Sequence, residues 1–501
     1  MVVTPWGDSD SLRGRQLQPV RGTPAAEVER NQRERLFAAM VACLDAKGFA
    51  ATTVADLVEA SGVSSRSFYD LFGDKSRCLR ETIEAILAKA QLGLAEGEDE
   101  DLEAMLRSSY RAFAAALAAQ PAAAKVCLLE AFTAGATALE PVETAIAKYE
   151  GELANHYSSS PEQRGMPAQM IAARVGGVLE IARGRLREGR EVELASLEED
   201  IIALMLADRP PPEPLRLGVR RKKTGPESLA APGHAERAIR AFAVLVAERG
   251  YAETTVDDIV KRASMSARTF YANFSGKEDL MLAAIESACA QAVAAVMPAF
   301  SRQTYWPAAI RAGFGALLDF LASRPALGRL VTVEVYAAGE AAIERRNRGL
   351  EPLSALLEFN TTEWDQMPPV VYEVLVGGDR SLLYETARNS GPDSLAGLAP
   401  LCSYLTLAPF IGAEAACAVA NGERGGEEAK GRWTVGETPG AILFQAPMRT
   451  TVLKALTFLE KKPATPAEIA AEIGEDLEVV TQYLADLAEI GAVEASGEAN
   501  G

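Results

Sequence analysis

The chain has 501 residues, 48% of them hydrophobic, six cysteines and a formal net charge of −18. That length allows about three domains or more at roughly 100–200 residues each. The negative balance excludes diffuse nucleic-acid binding but leaves room for local cationic surfaces, because phosphate contacts depend on where the cations sit. Alanine and leucine dominate the long segments and β-branched runs are few, which predicts an all-α protein. The cysteines (43, 78, 127, 289, 402 and 417) show no CxxC or metal spacing and are expected as reduced thiols. Only two histidines, His156 and His234, are present, so no metal site and no cofactor are expected. No unbroken apolar stretch is read as long enough to span a bilayer; residues 401–420 come nearest before Pro409 and Glu414 interrupt them. The amino terminus lacks the apolar core of a signal peptide. The expectation is a cytoplasmic protein with no membrane partner.

In chain order, residues 1–25 are polar, carry Arg13, Arg15 and Arg21, and are expected as a disordered basic arm. Residues 26–95 form a first helical head and 96–207 a first helical body. Residues 208–233 are a Pro-rich basic linker by composition, with Arg216, Arg220, Arg221, Lys222 and Lys223 and no surviving apolar period. Residues 234–290 form a second head, 291–420 a second body, 421–440 a Gly-rich linker and 441–497 a small terminal domain.

The two heads repeat one another. Residues 48–75 read GFAATTVADLVEASGVSSRSFYDLFGDK and residues 250–277 read GYAETTVDDIVKRASMSARTFYANFSGK, at a constant offset of 202. A gapless match of that length means two copies of one folded unit. The repetition runs into the bodies. Pro121, Glu130 and Gly135 match Pro325, Glu334 and Gly339 at an offset of 204, and Gly176-Gly177 resembles Gly377-Gly378. Glu130 and Glu334 sit at equivalent places in apolar helices, where they either serve structure or line a ligand cavity.

Within the first head, Leu36, Met40, Val41 and Leu44 recur at helical spacing, and Gly48 ends that helix. Thr53 is placed to cap a short second helix, with Asp56 three residues on in capping-box fashion. Ser61-Gly62-Val63 makes a tight turn. Ser64 caps a third helix whose Phe68, Leu71 and Phe72 anchor its inner face, and Lys75 opens a fourth. This helix-turn-helix order leaves Ser64, Ser65, Arg66, Ser67 and Tyr69 near the exposed amino end of the third helix, the end that enters the major groove in such folds. Hydroxyls and an arginine there can reach phosphates and base edges.

Thr53-Val54, Phe68-Tyr69, Phe72 and Lys75, with Thr255-Val256, Phe270-Tyr271, Phe274 and Lys277, resemble the pattern of TetR-family transcriptional regulators. The resemblance implies nine or ten helices per unit, a variable ligand-binding body, and pairing through the last two body helices. It implies that Tyr69, Tyr271, Lys75 and Lys277 contact phosphates, and that Thr53 and Thr255 can do so too. In the second head the candidate DNA-contacting residues are Thr255, Ser266, Arg268, Thr269, Tyr271 and Lys277. The copies differ at Gly62/Ser264, Ser65/Ala267, Ser67/Thr269 and Leu71/Asn273, so the two half-sites need not be identical.

The terminal domain, with Thr465-Pro466 ahead of a short helix and a longer helix to Ile490, resembles a winged helix-turn-helix of the ArsR or MarR kind. Its reading helix carries Glu475, Asp476, Glu478, Asp486 and Glu489 and neither lysine nor arginine, a face that repels phosphate. With no nucleophile–base set, phosphate-binding glycine loop or metal cluster in view, an enzyme is not expected. The reading is a transcriptional repressor. Its two fused units act as an intramolecular pseudo-dimer on a two-half-site DNA operator, released by a small apolar or amphipathic effector. It is expected as a single chain, with a homodimer of such chains as the alternative assembly. A second reading is a ligand-sensing or scaffolding protein with degenerate heads that acts through its acidic terminal domain.

Overall fold

The computed structural model describes residues 2–17, 24–91, 101–216, 233–303, 305–358 and 367–423, with 467, 469 and 471. The winged-helix expectation, nearly all of the Gly-rich linker and residues 217–232 lie outside the described residues.

The first unit comprises α1 (Ala25–Ala51), α2 (Val54–Ser61), α3 (Ser65–Phe72), α4 (Lys75–Gln91), α5 (Leu102–Ala119), α6 (Pro121–Lys125), α7 (Ala131–Ala134), α8 (Ala136–Ser159), α9 (Ala168–Glu188) and α10 (Glu198–Ala207). The second repeats the order: α11 (His234–Arg249), α12 (Val256–Arg262), α13 (Ala267–Tyr271), α14 (Lys277–Ser301), α15 (Trp306–Ser323), α16 (Pro325–Arg329), α17 (Val335–Ala337), α18 (Glu340–Glu358), α19 (Pro369–Asn389) and α20 (Ala399–Ala420). The correspondence extends to irregular details. A π-helical turn occupies Val126–Glu130 in one unit and Leu330–Glu334 in the other. A 3-10 turn, Glu191–Leu197 or Pro392–Leu398, leads into the last helix of each. The fold is an all-α duplication.

The units exchange core surface. Met170 and Ala173 of α9 belong to the core of the second unit. Val370, Val371, Val374 and Leu375 of α19 belong to the core of the first body. Burying each of these valines, the leucine and Met170 stabilises the fold by about 1.5–3 kcal/mol. Glycine makes this approach possible. A Cβ at Gly378 would stand 2.6 Å from the Ala173 carbonyl oxygen, and one at Gly377 would stand 3.1 Å from Gly177 Cα. Across the same seam Phe132 meets Tyr336 and Tyr384 with ring centroids 5.4 and 5.9 Å apart. Arg174 of α9 is fully buried, pairs with Asp208 at 2.8 Å and donates to the Leu405 carbonyl of α20.

Three expectations need correction. Residues 2–17, expected as disordered, form a hairpin (Val3–Thr4 with Gly7–Asp8) and two 3-10 turns that fold back on α1. Leu12 is buried there, Trp6 stacks 5.3 Å from Phe37, and the Arg13 guanidinium donates to the Glu59 carbonyl at the end of α2. Polar composition concealed two apolar anchors at the right spacing. Residues 208–216, expected to open a linker, are docked on α20: Tyr404 donates to the Arg209 carbonyl, Asn421 to that of Pro214, and the Arg216 amide to Asn421. Proline leaves carbonyls without helical partners, and the side chains of Tyr404 in α20 and Asn421 just after it satisfy them. The apolar lengths were also underestimated: residues 277–301 and 392–420 are long and apolar enough to cross a membrane, at mean hydropathies of 1.8 and 1.5. In the fold, Leu280, Ala284, Ile285 and Ala288 of α14 fill the second unit's core.

Candidate nucleic-acid interface

Each head forms because local chemistry closes its turns. Thr53 caps α2 through a reciprocal capping box with Asp56, and Thr255 does the same for α12 with Asp258. The Lys47 ammonium, 2.7 Å away, and then the Thr53 hydroxyl and amide hold the Asp56 carboxyl well below the usual carboxylate range. Asp258 is lowered by the Thr255 hydroxyl and amide, then by Arg249. Ser64 and Ser266 cap the third helices by accepting from the amides of Ser67 and Thr269 at 3.1 and 3.0 Å. Their hydroxyls also pair with the Ser67 and Thr269 hydroxyls. Phe68, Phe72, Phe270 and Phe274 are buried beneath, which fixes the outward face of α3 and α13.

On that face Ser64, Ser65, Arg66 and Tyr69 are exposed in the first head, as are Ser266, Arg268 and Tyr271 in the second. Thr53 and Thr255 are exposed at the starts of α2 and α12, while Ser67 and Thr269 are half-buried. Tyr69 and Tyr271 are more than half exposed, two of the four large hydrophobic side chains so placed among the described residues. The heads are not equivalent. Arg66 lies 3.8 Å from Asp70 one helical turn on, whereas Ala272 occupies that place relative to Arg268. In addition α13 stops at Tyr271, where α3 continues to Phe72. Asn273 donates its side-chain amide to the Thr269 carbonyl at 2.7 Å.

Lys75 and Lys277 are half-buried and point inward. The Lys75 ammonium donates to the Phe49 and Thr52 carbonyls at 2.7 Å and lies 4.0 Å from the Phe49 ring centroid. Lys277 donates to the Tyr251 and Ala252 carbonyls and lies 4.2 Å from the Tyr251 ring. Burial lowers both ammonium pKa values. The same turn is gripped from the body. The Phe49 amide donates to Glu130 Oε2 at 2.7 Å, and the Tyr251 amide to Glu334 Oε2 at 3.0 Å. Gly48 (φ +71°) and Gly250 (φ +88°) turn the chain so that this amide faces the carboxylate. Glu130 and Glu334 are thus the joint between body and head. Their pairing at one offset was visible in the sequence; the π-helical turn that aims them was not.

The heads match a known family. Residues 36–82 and 239–284 each match the family model of bacterial regulatory proteins, tetR family. Comparison with curated proteins gave no match. The two matched segments coincide with the two capped helix-turn-helix heads, so the chain carries two tandem TetR-type DNA-binding domains on a duplicated TetR-like fold and is a DNA-binding transcription regulator.

Proposed function

We infer that the two heads read the two half-sites of one operator as an intramolecular pseudo-dimer. The protein acts as a cytoplasmic repressor, and a small apolar or amphipathic effector held in a body lowers its DNA affinity. The observation that carries this reading is the exchange of core residues between α9 and α19, which joins the units within one chain. Third helices on successive major-groove faces would lie about 34 Å apart. Arg66 and Arg268 supply base contacts; Thr53, Ser64, Ser65, Ser67 and Tyr69, with Thr255, Ser266, Thr269 and Tyr271, supply phosphate and edge contacts. Lys75 and Lys277 have spent two ammonium donors each on carbonyls, which leaves one for a phosphate. The Glu130 and Glu334 joints connect effector and DNA: a body helix that shifts carries the carboxylate, and with it the first turn of the head.

Gel shift on an operator selected from genomic fragments tests this. Arg66→Ala and Arg268→Ala should each weaken binding by about 1–3 kcal/mol, each relaxing sequence preference in one half-site only. Light scattering should give a mass near one chain, 53.3 kDa. If both variants bind as the wild type does, the reading face is misassigned. A stable two-chain mass would show that tethering does not satisfy the pairing surface.

A further inference from the structure

Where the two bodies meet, arginines from both gather around a single carboxylate, Glu180. Arg183 and Arg187 of α9 and Arg346 and Arg380 of the second body are grouped around Glu180, a buried carboxylate of α9; Arg183 and Arg346 are buried, Arg187 and Arg380 half-buried. Glu180 is committed to Arg183 at 2.7 Å. Arg346 is 3% exposed, donates to its neighbour Asn347 and lies 4.9 Å from the Tyr336 ring. Arg380 makes no hydrogen bond to a described residue. Burial, and then the adjacent Arg346 charge, push its pKa down to about 10, so it stays protonated at neutral pH. Arg380 is half-buried, so its unpaired donors are open to an acceptor that enters the cavity.

Both Arg346 and Arg380 line a cavity of about 50 Å³ between α14, α15, α18 and α19. The rest of its wall is chiefly apolar, including Ala292, Leu321 and Val331. Leu317, Leu350 and Leu383 also line it and are only half-buried. The volume suits a small head group. An attached chain would lie among those leucines and displace them. The first unit has no such charge: at the offsets that pair Gly135 with Gly339 and Gly177 with Gly378, Val142 and Leu179 stand in place of Arg346 and Arg380.

We propose that this cavity binds an aliphatic carboxylate, its head group on Arg346 and Arg380 and its chain among Leu317, Leu350 and Leu383, and that the first body has no equivalent site. The proposal rests on the effector reading above and gives the effector a chemical class. The carboxylate supplies the acceptor that Arg380 lacks, and the fork of donors on each guanidinium matches its two oxygens.

The full chain is titrated calorimetrically with hexanoate, hexanol and hexylamine. Hexanoate should bind at one site per chain, with the alcohol and amine at least ten-fold weaker. Arg380→Leu, which installs the first unit's residue, should weaken hexanoate at least ten-fold, while Arg380→Lys, which keeps the charge but loses the fork, should weaken it by less than Arg380→Leu does. Ala292→Leu, which fills the cavity and leaves both arginines, should also abolish binding. Hexanoate that fails to bind, binds no better than hexanol, or is indifferent to Arg380→Leu overturns the proposal. The titration is repeated on the operator complex. Hexanoate that binds through Arg380 yet leaves DNA bound supports the site and refutes effector release, so the two failures are distinct.

Discussion

At the scale of single residues, the two heads place different residues at one left-handed turn position. Gly62 ends α2 with φ +66°, and the turn after α12 places Ser264 at φ +50°, the one non-glycine residue with positive φ among the described residues. A side chain in the left-handed region costs about 1 kcal/mol, which glycine avoids. Ser264→Gly should therefore stabilise the second head by up to about 1 kcal/mol, part of the gain being offset by the freer unfolded chain. Urea unfolding should show a higher midpoint at unchanged slope. An unchanged or lower midpoint would mean that the serine hydroxyl compensates for its backbone. The reciprocal change is not equivalent: a Cβ at Gly62 would meet Arg13 Cγ at 3.2 Å, because the folded-back arm covers that turn.

At the scale of elements, the crossing of α9 and α19 decides how the units sit together. Helices approach this closely only where Cβ atoms are missing, and glycine pairs occur on both sides. Gly378→Val adds a branched side chain where even a Cβ lies 2.6 Å from a backbone oxygen, which cannot move aside as a side-chain tip can. The change should destabilise the fold by about 1–3 kcal/mol. Gly184→Ala on α9, where a Cβ meets nothing within 4 Å, should be neutral or stabilising through helix propensity. Paired thermal melts compare the two, and equal effects would show that the crossing is not tightly packed.

At the scale of the whole molecule, carboxyl groups set how stability responds to pH. Burial and then the neighbouring Glu385 push Glu150 up to about 7, and burial pushes Asp379 to the same value. Glu385 is raised by burial as well. A carboxyl whose folded pKa is raised binds more protons folded than unfolded between its two pKa values, so stability falls as pH rises through that window. Glu150 and Asp379 therefore contribute a loss of stability from about pH 4 to 7. The lowered carboxyls, Asp56 and Asp258 among them, act only in more acidic solution. The urea midpoint should be higher at pH 5.5 than at pH 8, and Glu150→Gln should reduce that difference. A midpoint that rises with pH over this range would contradict the assignment.

The sequence alone determined the duplication, the all-α class, and the heads with their caps, buried phenylalanines and exposed third-helix residues. These follow from signals that act within a few residues of one another: a threonine and an aspartate three apart, a glycine where the chain must turn, aromatic residues at helical spacing. The tertiary structure decided the rest. It turned Lys75 and Lys277 inward on carbonyls, aimed Glu130 and Glu334 at the head through π-helical turns, and folded residues 2–17 and 208–216 onto helices that their composition gave no reason to expect. It also exchanged core residues between the units and gathered four arginines around Glu180. Each of these outcomes depends on which faces meet between segments far outside one another's local sequence, such as 23 residues apart at Lys75 and Thr52 or 205 at Arg216 and Asn421. Burial and charge are properties of that meeting: an arginine has the same local sequence signature whether water or a second guanidinium lies beside it.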